Sequence, residues 1–427
     1  METIDIYTNK FGVSKRVFNF VSEIESQLKE AFFHFDHIRE VNQLKVIKAF
    51  KDEHISARHF NPSTGYGYSD DSKTTLGALF SNIFGTESAI VSPLIASGTH
   101  ALCLCLFGLL RPLDCMISAT GRPYDTILDT IGLNGKKGQG SLMDWAVSYK
   151  QVNLLEDGNV DYFKLINNIK IDPNIKLVYI QRSRGYEWRE SIKIKQIKEL
   201  ASSIKKVRSD VIIMVDNCYG EFCEELEPTD VGADVVAGSL IKNPGAGIAP
   251  TGAYIAGKTK YIDMIANRLT APSLGTEIGS YAASYLPFYQ GIYFAPRVVF
   301  ESLKGAVLNA KAFETLGYAV MPGVSNSRTD ITQSIALRNK ELLLKYVTAI
   351  QNASIVDSFV TPEPWDMPGY EDKVVMASGS FIQGSSIELS ADAPIKPPYI
   401  AYVQGGLSYE NCKLALMLAL NDMNLVF

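Results

Sequence analysis

No histidine follows His100 in this chain of 427 residues, and only five occur in all: His34, His37, His54, His59 and His100. A Ser-His-Asp or Cys-His site would have to draw on these, and no nucleophile-elbow motif accompanies them. His34 and His37 have the spacing of two metal ligands on one helical face. Phe32, Phe33, Phe35 and Ile38 surround them, which favours a structural role over zinc. The six cysteines form no C-x-x-C pair and lie mostly in apolar runs. They read as reduced core thiols in a reducing compartment, not as disulfides or metal ligands. Long apolar runs are also lacking. The longest, residues 101–110, is too short to cross a bilayer and reads as a buried helix. The N-terminal residues Glu2-Thr3-Ile4-Asp5-Ile6 lack the basic and apolar regions of a signal peptide, so a cytoplasmic location is expected. Net charge is −5 with both signs mixed along the chain. There is no basic stripe for nucleic acid and no polybasic patch for a membrane surface.

What is present is ordinary globular composition, 46% hydrophobic and 20% charged, enough for a large core and a smaller second domain. Residues 14–54 carry helical periodicity and read as two amphipathic helices. A loop at residues 65–71 precedes a helix over 74–84. Apolar strand candidates then fall at 89–91, 116–119, 151–154, 176–181, 211–216, 235–238 and 253–256. Helical segments at 99–110, 124–131, 162–169 and 192–207 lie between most of them. This alternation predicts an α/β fold with a mostly parallel seven-stranded sheet covered by helices. The connection between 238 and 253 holds no helix, so one strand there is expected to run antiparallel. Beyond about residue 275 the style changes: helices at 291–313, 334–349 and 409–421, and strand-like runs within 374–389. The expected organisation is an N-terminal helical segment (1–62), a large domain (63–275) and a smaller C-terminal α+β domain (276–427).

Two residues carry the chemistry. Asp216 closes the apolar run Val211-Ile212-Ile213-Met214-Val215. Lys242 follows in Gly238-Ser239-Leu240-Ile241-Lys242-Asn243-Pro244-Gly245. In parallel α/β sheets, ligands bind beyond the carboxyl ends of the strands. A lysine amine that can take an aldehyde, paired with a carboxylate that can hold a pyridine nitrogen protonated, is the layout required by pyridoxal 5'-phosphate. Each residue alone has a plainer explanation: a surface lysine in a turn, and an N-cap. Ser97-Gly98-Thr99-His100 precedes the apolar helix over residues 101–110. A glycine-containing turn at a helix N-terminus offers N–H groups and a positive dipole end to a phosphate, although S-G-T by itself is also an ordinary cap. Ser239 can add a hydroxyl. Tyr124, in Gly121-Arg122-Pro123-Tyr124-Asp125, is either a ring that stacks on the cofactor or a core tyrosine. His100 is a second candidate for cofactor or substrate contact. Gly245-x-Gly247 leads into a strand and does not open a helix, so a dinucleotide fingerprint fails.

Together with Gly65-Tyr66-Gly67-Tyr68 and Gln383-Gly384-Ser385-Ser386-Ile387-Glu388-Leu389-Ser390, these motifs resemble the pyridoxal phosphate enzymes of the cystathionine γ-synthase/methionine γ-lyase class. The nearer resemblance is to the methionine γ-lyase-like or "aluminium resistance" branch, described as cystathionine β-lyases, and it covers nearly the whole chain. It implies the aspartate aminotransferase-like fold type I, with Lys242 as the lysine that holds the cofactor and Asp216 as its ring-nitrogen partner. It also implies Gly98 and Thr99 as phosphate amides, Ser239 as a phosphate hydroxyl and Tyr124 as the stacking ring. The class forms homotetramers, dimers of dimers, in which a tyrosine and a basic residue of the neighbouring subunit reach the phosphate. Tyr66 or Tyr68, with Lys73, match that segment. Three departures stand out. Ile241 replaces a hydroxyl residue, Asp70 lies near the place of the cross-subunit arginine, and the C-terminal arginine motif for the substrate carboxylate is missing. Arg182, Arg184 and Lys396 are the candidates for that last role.

The expected function is that of a lyase that breaks a C–S bond in a small-molecule sulfur amino acid (cystathionine, cysteine or methionine), by elimination at Cβ or Cγ. The alternatives are another fold type I enzyme (aminotransferase, aldolase or decarboxylase) or a non-catalytic cofactor-binding stress protein.

Overall fold

Residues 2–135, 137–367 and 372–426 are described by the computed structural model. Three helices come first, α1 (Thr3–Phe11), α2 (Lys15–Ser26) and α3 (Lys29–Asp52), then α4 (Asp71–Ile83). Strands and helices then alternate: β1 (Ser88–Ser92), α5 (Gly98–Leu109), β2 (Cys115–Ser118), α6 (Asp125–Ile131), β3 (Ser148–Gln151), α7 (Tyr162–Ile171), β4 (Ile175–Gln181), α8 (Ile194–Val207), β5 (Ile212–Asp216), β6 (Val235–Ser239), β7 (Ala253–Gly257) and α9 (Thr259–Leu269). After α10 (Leu286–Thr315) come β8 (Val320–Met321), β9 (Thr332–Ala336), α11 (Lys340–Asn352), β10 (Val374–Ala377), β11 (Ser390–Pro394), β12 (Ile400–Gln404) and α12 (Tyr409–Asp422).

The large sheet has the order β1-β7-β6-β5-β4-β2-β3. The ladders are parallel from β6 to β3, and β7 runs antiparallel to both its neighbours. The connection before β7 holds only a short 3-10 turn, Asn243–Gly245, and no crossover helix, so the chain returns antiparallel, as expected. Side chains alternate between two buried layers with the period of a strand. Ile212 and Met214 pack with Leu102, Leu106 and Ile262 on the α5–α9 side. Ile213 and Val215 pack on the other side with α4 and α8. Every residue of β5 is buried, as a central parallel strand requires. The smaller sheet, β10-β11-β12-β9-β8, is wholly antiparallel.

The two helices expected over residues 14–54 are α2 and α3, and α1 precedes them; Gly12 takes a left-handed φ of 71° and ends α1, and Ser14 caps α2 by accepting from the Val17 N–H. Two expectations are corrected. The expected strand at 151–154 lies earlier, at Ser148–Gln151, an edge strand with mostly exposed side chains that carries little apolar signal. The expected helix at 334–349 begins as β9. Arg338 then adopts a φ of 70°, and Asn339 caps α11 by accepting from the Leu342 N–H at 2.9 Å. The helix α9 had not been anticipated.

Candidate active site

Strand alternation decides which side chains reach the site. In β4, Tyr179 and Gln181 face the α5 side, and the next residue, Arg182, points through to the opposite layer. At the end of β5, Asp216 follows the same alternation as Met214. Its Oδ2 accepts from the Tyr179 hydroxyl at 3.2 Å and its Oδ1 from the Cys218 N–H at 3.1 Å. Burial pushes the Asp216 carboxyl above the usual carboxylate range, against those hydrogen bonds and the Lys242 charge.

Lys242 follows β6. Its Nζ donates to the Ser385 carbonyl at 3.2 Å and lies 3.5 Å from the centroid of the Tyr219 ring. Burial alone would lower the ammonium, but Tyr219, Cys218 and Asp216 around it hold it above the ordinary lysine range. The Ser385 carbonyl is placed by a loop that Glu388 organises: this carboxylate accepts from the Phe381 N–H at 2.9 Å and the Ile382 N–H at 2.8 Å. The Ile387 N–H in turn donates to the Ile241 carbonyl at 3.2 Å, which ties that loop to the lysine turn. The motif at 383–390, which leads into β11 of the smaller sheet, thus supports the lysine.

Both groups open on one cavity of about 380 Å³ at the carboxyl ends of the parallel strands. The N-terminus of α5 meets it from a third direction. Ser97 caps this helix, its Oγ accepting from the His100 N–H at 3.1 Å. The Ala101 N–H bonds the Ser97 carbonyl, so the remaining first-turn amides, on Gly98 and Thr99, are left to face the cavity. A Cβ on Gly98 would lie 3.3 Å from Cys218 Sγ and 3.4 Å from Ser239 Cβ, so glycine keeps this approach open. Tyr124 and Ser239 complete this wall, and Gln181 Oε1 fixes the Tyr124 backbone by accepting its N–H at 2.7 Å.

These residues fit pyridoxal phosphate. A buried carboxylate, a lysine amine and an anion-binding helix terminus line one cavity, as the cofactor's ring nitrogen, aldehyde and phosphate require. Lys242, Asp216, Ser97, Gly98, Thr99, Tyr124 and Ser239 are brought together. His100 is turned to a local task, its Nδ1 accepting from the Ala96 N–H at 3.1 Å. Arg182 and Arg184 are not on the cavity lining. Arg182 is fully buried against Glu224 at 2.7 Å, with hydrogen bonds of 2.8 Å to Asn217 Oδ1 and the Gly220 carbonyl. Arg184 bonds the Met321 carbonyl at 2.7 Å and Asp330 at 3.3 Å. Lys396 lies in a neighbouring recess and pairs with Asp372 at 2.7 Å. Tyr66 and Tyr68 are exposed on a separate loop, 69% and 64%. Lys73 donates to the Ile278 carbonyl at 3.2 Å, and Asp70 caps α4.

The sequence reasoning missed Tyr219, Gln404, Ser385 and Asp392, all of which line the same cavity. Tyr219 and Ser385 lie inside motifs already singled out. Asp392 carried one signal, a carboxylate alone within the apolar strand Ser390-Ala391-Asp392-Ala393-Pro394.

The family model described as methionine gamma-lyase matches residues 17–424. The chain is 46% identical over 401 residues to the uncharacterized protein YnbB of Bacillus subtilis (strain 168), covering 94% of this chain and 95% of that one. Its structure is similar to that of a carbon-sulfur lyase involved in aluminum resistance from Clostridium novyi NT, with 46% identity, a TM-score of 0.95 and 99% of each chain covered. At 14% identity, the pyridoxal-5'-phosphate dependent protein YhfS from Escherichia coli shares the fold, with a TM-score of 0.61 over 90% of this chain and 95% of that one.

Proposed function

Because this chain belongs to the methionine gamma-lyase family, we propose that it is a pyridoxal phosphate-dependent carbon–sulfur lyase acting on a sulfur amino acid. The observation that carries the proposal is the meeting of Lys242, Asp216 and the α5 N-terminus on one cavity. When bound, the cofactor supplies an electron sink for charge that develops at the substrate Cα. The Asp216 carboxylate, held by Tyr179 and the Cys218 N–H, keeps a proton at the cofactor's ring nitrogen. Gly98, Thr99 and Ser239 would hold the phosphate, and Tyr124, on the same cavity wall, would lie against the ring. The Lys242 amine removes the proton at Cα, with the Ser385 carbonyl and the Tyr219 ring orienting it. A thiol then leaves from Cβ, or from Cγ after a second proton removal at Cβ.

We place the protein in the cytoplasm as a homotetramer with sites shared across each dimer. The exposed pair Tyr66 and Tyr68 supports this, as does Lys73 beside them. Among the described residues, no helix is long and apolar enough to cross a membrane.

The test is oxo-acid release from cystathionine, cysteine and methionine. Pyruvate marks elimination at Cβ, and 2-oxobutanoate from methionine marks elimination at Cγ. Release from none of the three would defeat the lyase assignment. Amino-group transfer to a 2-oxo acid without elimination would support an aminotransferase instead.

A further inference from the structure

The charged side chains on the described lining of the cavity are Lys242, Asp216 and Asp392. The first two have their tasks. Asp392 does not, and its setting is unusual. It lies within β11, opposite Tyr402 of β12, and is only 7% exposed. The Tyr186 hydroxyl hydrogen-bonds its carboxylate, and Oδ1 has no hydrogen-bond partner among the described residues. A buried carboxylate oxygen without a donor costs several kcal/mol unless something supplies one. In native proteins such a group marks stored strain, a catalytic role, or the place of a water, ion or ligand, and here it lies on the lining of the cavity.

The surroundings define that ligand. The Tyr186 and Tyr402 ring centroids are 5.1 Å apart, and Tyr124 stands edge-on to Tyr186 at 6.4 Å. Tyrosine faces beside a carboxylate suit an ammonium group, which both attract. No arginine lies on the described lining, so an anionic side chain would meet no guanidinium there. Burial raises the Asp392 carboxyl to about 6, with Tyr186 and Lys242 opposing, and an ammonium group beside it would favour its charged form.

We infer that Asp392 is a specificity residue whose carboxylate receives a distal ammonium group on the substrate side chain. The preferred substrates are then thioether amino acids that carry a second amine. This rests on the lyase assignment for the identity of the substrate backbone, and it assigns the far end.

The test uses the cofactor-loaded protein and two ligands of equal length, S-(2-aminoethyl)-L-cysteine and S-propyl-L-cysteine. They differ in a terminal ammonium against a methyl. The cofactor's absorbance change on mixing reports each Kd, and oxo-acid release is followed separately. Wild-type protein should bind the aminoethyl ligand at least about 30-fold more tightly. Asp392→Asn should bring that ratio to near unity, and Asp392→Glu should recover part of it. A wild-type ratio near one, or a preference that survives in Asp392→Asn, overturns the inference. The wild-type ratio decides even if the variant fails to load cofactor. Preference without oxo-acid release would sink the lyase assignment and leave Asp392 in its role. Release from both ligands without preference would do the reverse.

Discussion

The Lys242 ammonium rests 3.5 Å from the centroid of the Tyr219 ring, and Tyr219 holds a left-handed φ of 70° to put it there. Such a backbone costs energy in a non-glycine residue and persists only where the surroundings enforce it. Here they do. The Tyr219 hydroxyl donates to the Ser385 carbonyl at 3.0 Å and accepts from Gln404 Nε2 at 2.9 Å. The loop before β11 and the strand β12 thus fix a ring that supports the lysine of the large sheet.

It follows that removing the ring should lower the Lys242 pKa, because burial would then be less opposed. In cofactor-free protein, the pH dependence of Lys242 acylation, read by mass spectrometry, should shift to lower pH in Tyr219→Ala. Tyr219→Phe keeps the aromatic face but loses the phenol oxygen that hydrogen-bonds Lys242, so its profile should shift in the same direction as that of Tyr219→Ala. An unmoved profile in Tyr219→Ala would show that the Tyr219 side chain does not hold the charge. The stability linkage has the same sign. A lysine raised in the folded state contributes stability that is fully present below the ordinary lysine range and is lost as pH rises through the raised value.

Asp216→Asn should act in opposite directions on stability and turnover. The folded-state carboxyl is raised by burial. An acid raised in this way destabilises the fold when ionised, and stability grows as pH falls through the folded value. At neutral pH the cofactor-free variant should therefore melt higher than wild type, and the difference should close as pH falls into the raised range. Turnover of the loaded enzyme should fall about 100-fold or more, because the ring nitrogen loses its anionic partner. A lower melting temperature at neutral pH, or full turnover, would contradict this account of Asp216.

The central strands of the large sheet were readable because they are buried on both faces and appear as unbroken apolar runs, whereas the exposed edge strand β3 was misplaced. Asp216 and Lys242 were readable because each interrupts or follows such a run at a strand's carboxyl end. Asp392 was not, because its strand belongs to a sheet whose register depends on pairing with β12 and whose neighbours Tyr186 and Tyr402 lie far away in sequence. Arg182 illustrates the converse. It stands one residue beyond Gln181, which touches the cavity, yet period-two alternation sends its guanidinium to the other face. Arg182 was a candidate for the substrate carboxylate because the expected C-terminal arginine motif is missing, but strand geometry places its guanidinium off the cavity lining.

Arg182→Ala should accordingly be a stability variant. Its guanidinium faces Glu224 at 2.7 Å and Glu227 at 3.8 Å, the latter fully buried. Removing it strands those carboxylates and should cost about 3–5 kcal/mol by urea unfolding. In whatever fraction folds, the KM for substrate should be close to wild type. A stable variant with a greatly raised KM would restore Arg182 as a substrate ligand.

Gly98→Ala separates the fold from the cofactor site. Gly98 opens α5 without a positive φ, so alanine is compatible with the backbone there and suits a helix better than glycine. The melting temperature of the cofactor-free variant should therefore equal or exceed that of wild type. The added methyl, however, enters the gap between Cys218 Sγ at 3.3 Å and Ser239 Cβ at 3.4 Å, where the Gly98 and Thr99 amides face the cavity. Crowding there should keep a phosphate from approaching those amides, raising the cofactor Kd about tenfold or more. The comparison variant is Ser97→Ala, which removes the cap oxygen that accepts from His100. It should lower stability by about 1 kcal/mol, because the helix terminus itself loosens. If Gly98→Ala bound pyridoxal phosphate as tightly as wild type, the α5 terminus would not be the phosphate cradle, and the cofactor would have to lie elsewhere along the cavity.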